Sequence, residues 1–239
     1  MNHKILLYQY GKVGSTSIKH TIKNSIYANK PFEKYNNNLI QTHSHIVAKD
    51  VLKKHPDVLI IVIVRLPVSR NISDYWENIY KHCPFYKQTS IEIIDDIFNK
   101  QDYITQTDQW MNECFNILNI DKSKFKFWHE KKYTLHKGKY NTIFLRFEDL
   151  PYTTKHILPK FGIVNTKKEN MSIKKTYASH YLKHKKYHTV TKKTIEQIRT
   201  SYFQRTFYTD NELLIHIRDW SAPQSWSTVS NTNKYLRFM

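Results

Sequence analysis

Lys12-Val13-Gly14-Ser15-Thr16-Ser17 sets a cation, a glycine and three hydroxyls within one short stretch. That set suits an anion. The ammonium supplies charge, the hydroxyls donate, and glycine lets backbone N–H groups come close. Arg65 and Ser73 form a second pair, a guanidinium fork and a hydroxyl, matched to a phosphate monoester. His43-Ser44-His45 offers an imidazole that titrates near neutral pH and can take a proton from a hydroxyl. Asp74 and Glu77 are further carboxylates able to do so, while Glu148 reads as structural.

The elements around these residues place them. Ile5-Leu6-Leu7-Tyr8 reads as a short buried strand, and Ile18, Ile22 and Ile26 recur as one face of a helix. Strand, Gly/Lys/Ser/Thr loop and helix in that order build an anion pocket at the helix start. The loop is not Walker A, because Lys12 precedes Gly14 instead of following the second glycine. Val58 to Val64 is a β-branched apolar run suited to a central parallel strand. Arg65 then stands at its carboxyl end, where open α/β sheets bind ligands. Pro67 ends the strand, and a helix follows with Ile72, Trp76 and Ile79 on one side and Ser69 as its N-cap. Leu39 to His43 reads as a strand and Ile46 to Lys54 as a helix, so the histidine pair lies after a strand. Helices are also predicted over 91–98, 103–117, 191–201 and 210–220, the last two capped by Thr191 and Thr209.

A chain of 239 residues with 40% hydrophobic residues has length for one α/β domain, read as 1–220, with a polar tail over 221–239. The fold class is a single-domain α/β fold: a P-loop-like central parallel sheet flanked by helices. The formal net charge of +18 attracts polyanions and steers anionic ligands. Its densest run, Lys167 to Lys193, is interleaved with Tyr177, Tyr181, Tyr187, His180, His184 and His188 and reads as the lining of a polyanion groove or, in preference, as a solvated loop. Two cysteines make no disulfide framework, and no C-x-x-C exists. The first strand begins too early for a signal peptide, and no apolar run spans a bilayer. A cytoplasmic chain is expected, with charge able to hold it to the periphery of the inner membrane. No metal site is expected.

Together the two anion segments resemble the sulfotransferase family. The likeness lies in K-x-G-[ST]-[ST]-[ST], here Lys12 to Ser17, and in V-R-x-P-x-x-R-x-x-S-x-Y, here Val64 to Tyr75. Asn141 to Leu150, ending in R-F-E-D-L, resembles a later strand of these enzymes. The helix after it, closing at Phe161-Gly162-Ile163, is similar too. The tryptophan-bearing stretch Asp108 to Glu113 is similar to bacterial members assigned to capsular polysaccharide synthesis. The resemblance runs from about residue 4 to about residue 220 and implies the sulfotransferase fold. It also implies the cosubstrate 3′-phosphoadenosine 5′-phosphosulfate (PAPS), with PAP as product. Lys12, Gly14, Ser15, Thr16 and Ser17 would hold the 5′-phosphosulfate, and Arg65 and Ser73 the 3′-phosphate. Lys12 would also meet leaving-group charge. A histidine pair at the equivalent place in glycan sulfotransferases implies His45 as general base. The implied acceptor is a carbohydrate hydroxyl, acidic or lipid-linked, on a capsular or cell-surface polysaccharide. Many relatives carry Tyr where Phe147 stands.

Two other classes compete. A P-loop-like nucleotide binder or kinase lacks here both Walker A and a magnesium aspartate after Val58–Val64. A basic nucleic-acid module lacks any helix-turn-helix, zinc-finger or RNP pattern, so no specific nucleic acid is expected. Nothing in the sequence sets the oligomeric state.

Overall fold

Every residue of Ile5–Tyr8 is buried, as a strand between two parallel neighbours and covered on both faces must be. The computed structural model describes residues 4–14, 16, 18–22, 39–163 and 175–221. In chain order the strands are β1 Ile5–Tyr8, β2 Leu39–Thr42, β3 Leu59–Val64, β4 Tyr133–Lys137 and β5 Asn141–Arg146. The helices are α1 His45–Lys54, α2 Pro67–Glu77, α3 Ile79–His82, α4 Ile91–Asn99, α5 Tyr103–Leu118, α6 Leu150–His156, α7 Ala178–Tyr187, α8 Lys192–Thr200, α9 Tyr202–Phe207 and α10 Asp210–Trp220. This is an α/β fold with a five-stranded, mostly parallel central sheet flanked by helices. The chain gathers into two compact units, Met1–Arg65 with Gln109–Glu169, and Leu66–Asp108 with Asn170–Met239.

The first unit holds the sheet, in the order β2-β1-β3-β5-β4. β2, β1, β3 and β5 pair in parallel, and β4 closes the edge antiparallel to β5. Ile5 lies opposite both Leu39 and Leu59, and Ile61 opposite both Leu7 and Ile143. Ile5, Leu7, Ile61, Ile63, Ile143 and Leu145 form one apolar cluster with Ile18 and Ile22. Those two isoleucines carry the predicted helical face; Ile26 lies outside the described residues. β1 has β2 on one side and β3 on the other, so the chain reverses its direction of progress across the sheet at β1. A doubly wound sheet opens a crevice at such a switch point, beyond the carboxyl ends of the strands.

The second unit is helical and aromatic. Tyr75, Trp76 and Tyr86 are fully buried, and Tyr75 meets Phe98 edge-on with centroids 5.4 Å apart. Ser90, Thr191, Ser201 and Thr209 each cap a helix by accepting from the backbone N–H three residues on.

Two expectations need correction. Ser69 is not an N-cap: α2 begins at Pro67, whose fixed φ suits a first helical position. Ser69 lies inside the first turn and donates to the Leu66 carbonyl at 3.2 Å. The basic run ending at Lys193 is not a solvated loop where it is described. Its residues 178–187 form α7, which buries Tyr181 and His184, while His188 is buried at its C-cap. The rest of that run up to residue 174, and the tail from residue 222, lie outside the described residues.

Candidate functional site

Three strand ends of the first unit carry the predicted chemistry. β1 runs through Gln9 and Tyr10 into the loop 11–14. Two loop residues sit in the left-handed region, Lys12 at φ 64° and Gly14 at φ 81°. Gly14 is the position that requires glycine. A Cβ there would stand 2.6 Å and 2.7 Å from Phe147 ring carbons and 2.9 Å from Leu150 Cδ1. The loop therefore lies flat on Phe147, at the end of β5. Thr16 is helical and exposed, whereas Ser15 and Ser17 lie outside the described residues.

Arg65 follows β3 and is 8% exposed. Its Nη1 donates to the Lys12 carbonyl at 3.0 Å, and its guanidinium stacks 4.2 Å from the Phe147 ring centroid. The arginine thus clasps the loop across the β1/β3 switch point, with Phe147 beneath both. Sequence reasoning brought Lys12 and Arg65 to one crevice but missed this direct link, since a backbone carbonyl leaves no mark in a motif. It also read Phe147 only as a missing tyrosine. Arg146 and Asp149, of R-F-E-D-L, are buried and paired with each other, which makes this corner structural. Ser73 stands half-buried on α2, in the second unit. Asp74 pairs with Arg70 at 3.6 Å, and Glu77 accepts from Lys175 and Tyr177, so both backup carboxylates have structural partners.

β2 ends at His43-Ser44-His45, where Ser44 caps α1 by accepting from the Val47 N–H. The two imidazoles are held differently. His43 is exposed, and its Nδ1 lies 2.8 Å from the Gln9 carbonyl. A carbonyl only accepts, so His43 carries its proton on Nδ1 and presents Nε2 with a lone pair. His45 Nδ1 bonds to the Tyr8 hydroxyl instead. Tyr8 is fully buried, and His45 is the one hydrogen-bond partner of its hydroxyl among the described residues, so the hydroxyl donates and His45 keeps its proton on Nε2. Burial pushes the Tyr8 hydroxyl far up, with Cys114 and Glu113 adding to it, so it stays a donor. Burial also lowers His45, against the pull of Glu113 and with a further push from Lys49.

Trp110, on α5, fixes this corner. Its Nε1 donates to the His43 carbonyl at 3.0 Å, and its ring lies 5.0 Å from Tyr8, 5.2 Å from His45 and 5.7 Å from Tyr10. Trp110 is buried, and its indole N–H adds a positioning role to its place in the core. Gln9 is the other residue that sequence reasoning missed. Its side chain is fully buried at the root of the loop, and neither amide atom has a partner among the described residues. An orphaned buried amide is costly, and beside an anion loop it fits donation to a bound ligand.

Asp95, His184 and His188 of the second unit place three ligand atoms within 4.8 Å of one another. Hydrogen bonds account for this cluster without a metal. Trp76 Nε1 donates to His184 Nδ1 at 2.8 Å. The indole can only donate, so His184 carries its proton on Nε2 and gives it to Asp95 at 3.0 Å, while His188 Nδ1 gives a second at 2.6 Å. A ligating histidine has the opposite pattern, donating from the nitrogen remote from the metal.

A scan against protein-family models, a search of curated proteins and a search of solved structures each return no match.

Proposed function

We propose that the protein is a sulfotransferase that moves the sulfuryl group of PAPS to a hydroxyl of a glycan, a capsular or cell-surface polysaccharide. One observation carries the reading. The left-handed Lys12–Gly14 loop is clasped by Arg65 at the β1/β3 switch point, 3.0 Å from guanidinium to loop carbonyl. Two cations thus sit at the carboxyl ends of adjacent parallel strands, where such a sheet binds anions. In the sulfotransferase resemblance the same two residues serve the two phosphate ends of one cosubstrate. Lys12 and the loop N–H groups suit the 5′-phosphosulfate and Arg65 the 3′-phosphate, to which the resemblance alone assigns Ser73. The buried Gln9 amide fits as an added donor.

Sulfuryl transfer is an in-line displacement. The acceptor oxygen bonds to sulfur as the bond from sulfur to the bridging oxygen breaks, and the acceptor proton must leave. Lys12 meets the charge left on the phosphate. The resemblance favours His45 as base, but the hydrogen bonds favour His43, whose Nε2 lone pair is open and whose ring is exposed. His45, with Tyr8 and Trp110 against it, suits an orienting role toward the sugar.

Thermal stability with added nucleotide tests the cosubstrate. PAP is expected to raise the melting midpoint more than ATP, AMP or adenosine 5′-phosphosulfate, because a ligand of the folded state stabilises by mass action. Lys12→Ala is expected to lose far more turnover than PAP affinity. A preference for ATP over PAP overturns the reading in favour of a kinase-like site.

A further inference from the structure

The first unit carries a second charged surface, built by residues other than those assigned to the cosubstrate. The turn after Phe127 and the outer side of α6 present Trp128, 49% exposed, and Tyr152, 41% exposed. Ammonium groups lie over both rings. Lys131 Nζ lies 4.6 Å and Lys126 Nζ 5.4 Å from the Trp128 centroid, and Lys132 Nζ lies 4.8 Å from that of Tyr152. The backbone N–H groups of Lys131 and Lys132 both bond to the Trp128 carbonyl, at 3.1 and 3.0 Å, so the turn is fixed. Lys132 also stands 3.8 Å from Asp149, which ties the turn to the start of α6. Lys155, one turn beyond Tyr152 on α6, is exposed. Among the described residues no ion pair is formed by Lys126, Lys131 or Lys155, and Glu130 is the one exposed acid within the turn.

We infer that this face is a docking surface for an anionic lipid bilayer. Exposed Trp and Tyr rings with lysine ammonium groups over them have the chemistry of a membrane interface, where amphipathic rings rest at headgroup level. Every cation of the patch is lysine. Lysine acts as a hydrated point charge at a distance, which suits a diffuse layer of lipid phosphates; recognition of single sulfates or carboxylates along a glycan favours the arginine fork. The remaining field of a chain with net charge +18 draws the molecule to the same surface. Such docking places the protein beside acceptors built on lipid carriers.

Co-sedimentation of the full chain with vesicles tests this. Binding is expected to phosphatidylcholine vesicles doped with phosphatidylglycerol, and not to phosphatidylcholine alone, and to weaken with salt. Each lysine near an anionic surface adds about five-fold to partitioning. The triple variant K126Q/K131Q/K155Q is therefore expected to bind about a hundred-fold more weakly. A charge-matched control on exposed lysines of the second unit, K183Q/K186Q/K192Q, is expected to lose far less. Brominated lipid is expected to quench part of the wild-type tryptophan emission and to lose that part in Trp128→Phe. Equal loss in the two triple variants, or unchanged quenching in Trp128→Phe, overturns the assignment of this face. Binding of soluble dextran sulfate through the same three lysines, with no vesicle binding, overturns the bilayer in favour of a glycan polyanion. None of these readouts uses PAPS or PAP, so they stand apart from the sulfotransferase test.

Discussion

Gly14→Ala isolates what the loop geometry requires. Two costs add. At φ 81° an alanine enters the left-handed region, which costs about 1–2 kcal/mol for an L-residue. Its Cβ would also stand 2.6 Å and 2.7 Å from two Phe147 ring carbons and 2.9 Å from Leu150 Cδ1, far inside contact distance. The ring cannot simply swing away, because the Arg65 guanidinium stacks on it at 4.2 Å. Overpacking of this kind costs about 1–3 kcal/mol. The sum, about 2–5 kcal/mol, corresponds to a melting midpoint lower by roughly 4–20 °C for a chain of this size. Phe147→Ala provides the cycle: with the ring gone, its share of the steric part vanishes, and the backbone part and the Leu150 contact remain. The double variant is expected to be about 1–3 kcal/mol more stable than the two single losses added together. Gly138→Ala is the control. Its Cβ would meet His136 Nε2 at 2.6 Å, the far end of a half-buried side chain that can move, so a loss within about 1 kcal/mol is expected. Gly14→Ala melting within a degree of wild type, or losses that add without coupling, refutes the packing of the loop on Phe147.

Three further outcomes follow from the hydrogen-bond networks. If His43 is the base, His43→Ala lowers sulfation of an authentic glycan by about 10²–10⁴-fold while PAP binding persists, and His45→Ala does less; the reverse order returns the role to His45. Tyr8→Phe removes the donor that fixes the His45 tautomer, so nitrogen-15 spectra of that imidazole should shift from the Nε2–H form toward a mixture, and an unchanged spectrum refutes the tautomer assignment. Burial works to raise the Asp95 carboxyl, but hydrogen bonds from His184 and His188 outweigh it and hold the group at about 2. Its folded value lies below its unfolded one, so it adds roughly 2 kcal/mol of stability above about pH 4 that is lost as pH falls toward 2. His184 is lowered by burial despite Asp95, so its contribution too is lost on acidification, from about pH 6.5 downward. Asp95→Asn should be less stable at pH 7 and should flatten the acid limb of the urea midpoint, and zinc should stabilise neither protein; a zinc-dependent midpoint refutes the proton assignment of His184.

The parts of the fold written by apolar pattern were legible. Ile5–Tyr8 and Leu59–Val64 are continuous apolar runs, and both are strands buried on two faces. Thr191 and Thr209 announce α8 and α10 because a side-chain oxygen before a helix has a local job, and Glu212 completes a capping box. β4 was not legible. Thr134 is its one buried residue, with Lys137 exposed, and its register comes from β5, not from its own pattern. α7 was missed because Lys183, Lys185 and Lys186 mask a buried face that the distant partners of His184 reveal, Trp76 and Asp95. At the candidate site, residue types could be read from the sequence. It could not hold their partners: which imidazole faces a carbonyl and which a hydroxyl depends on Gln9 and Tyr8, more than thirty positions away.

Lys12 joins charge and strain in one residue, and a substitution can part them. Its φ of 64° is uncommon for a residue with a Cβ, and strain of that kind persists only where the surroundings hold it. The Arg65 bond to the Lys12 carbonyl is such a restraint. If the loop served stability alone, a residue at ease in the left-handed region would do better there. Lys12→Gly should therefore raise stability by about 1 kcal/mol, since it removes the left-handed penalty of about 1–2 kcal/mol and loses part of it to chain entropy. Lys12→Ala, which keeps the Cβ, should leave stability near wild type. Both remove the ammonium, so both should lose turnover alike if the charge is what the site uses. A Lys12→Gly protein more stable than wild type and inactive would mean that the strained backbone is retained to aim a cation. A less stable one would mean that the side chain itself holds the loop, and the catalytic reading of Lys12 would then lose its structural support.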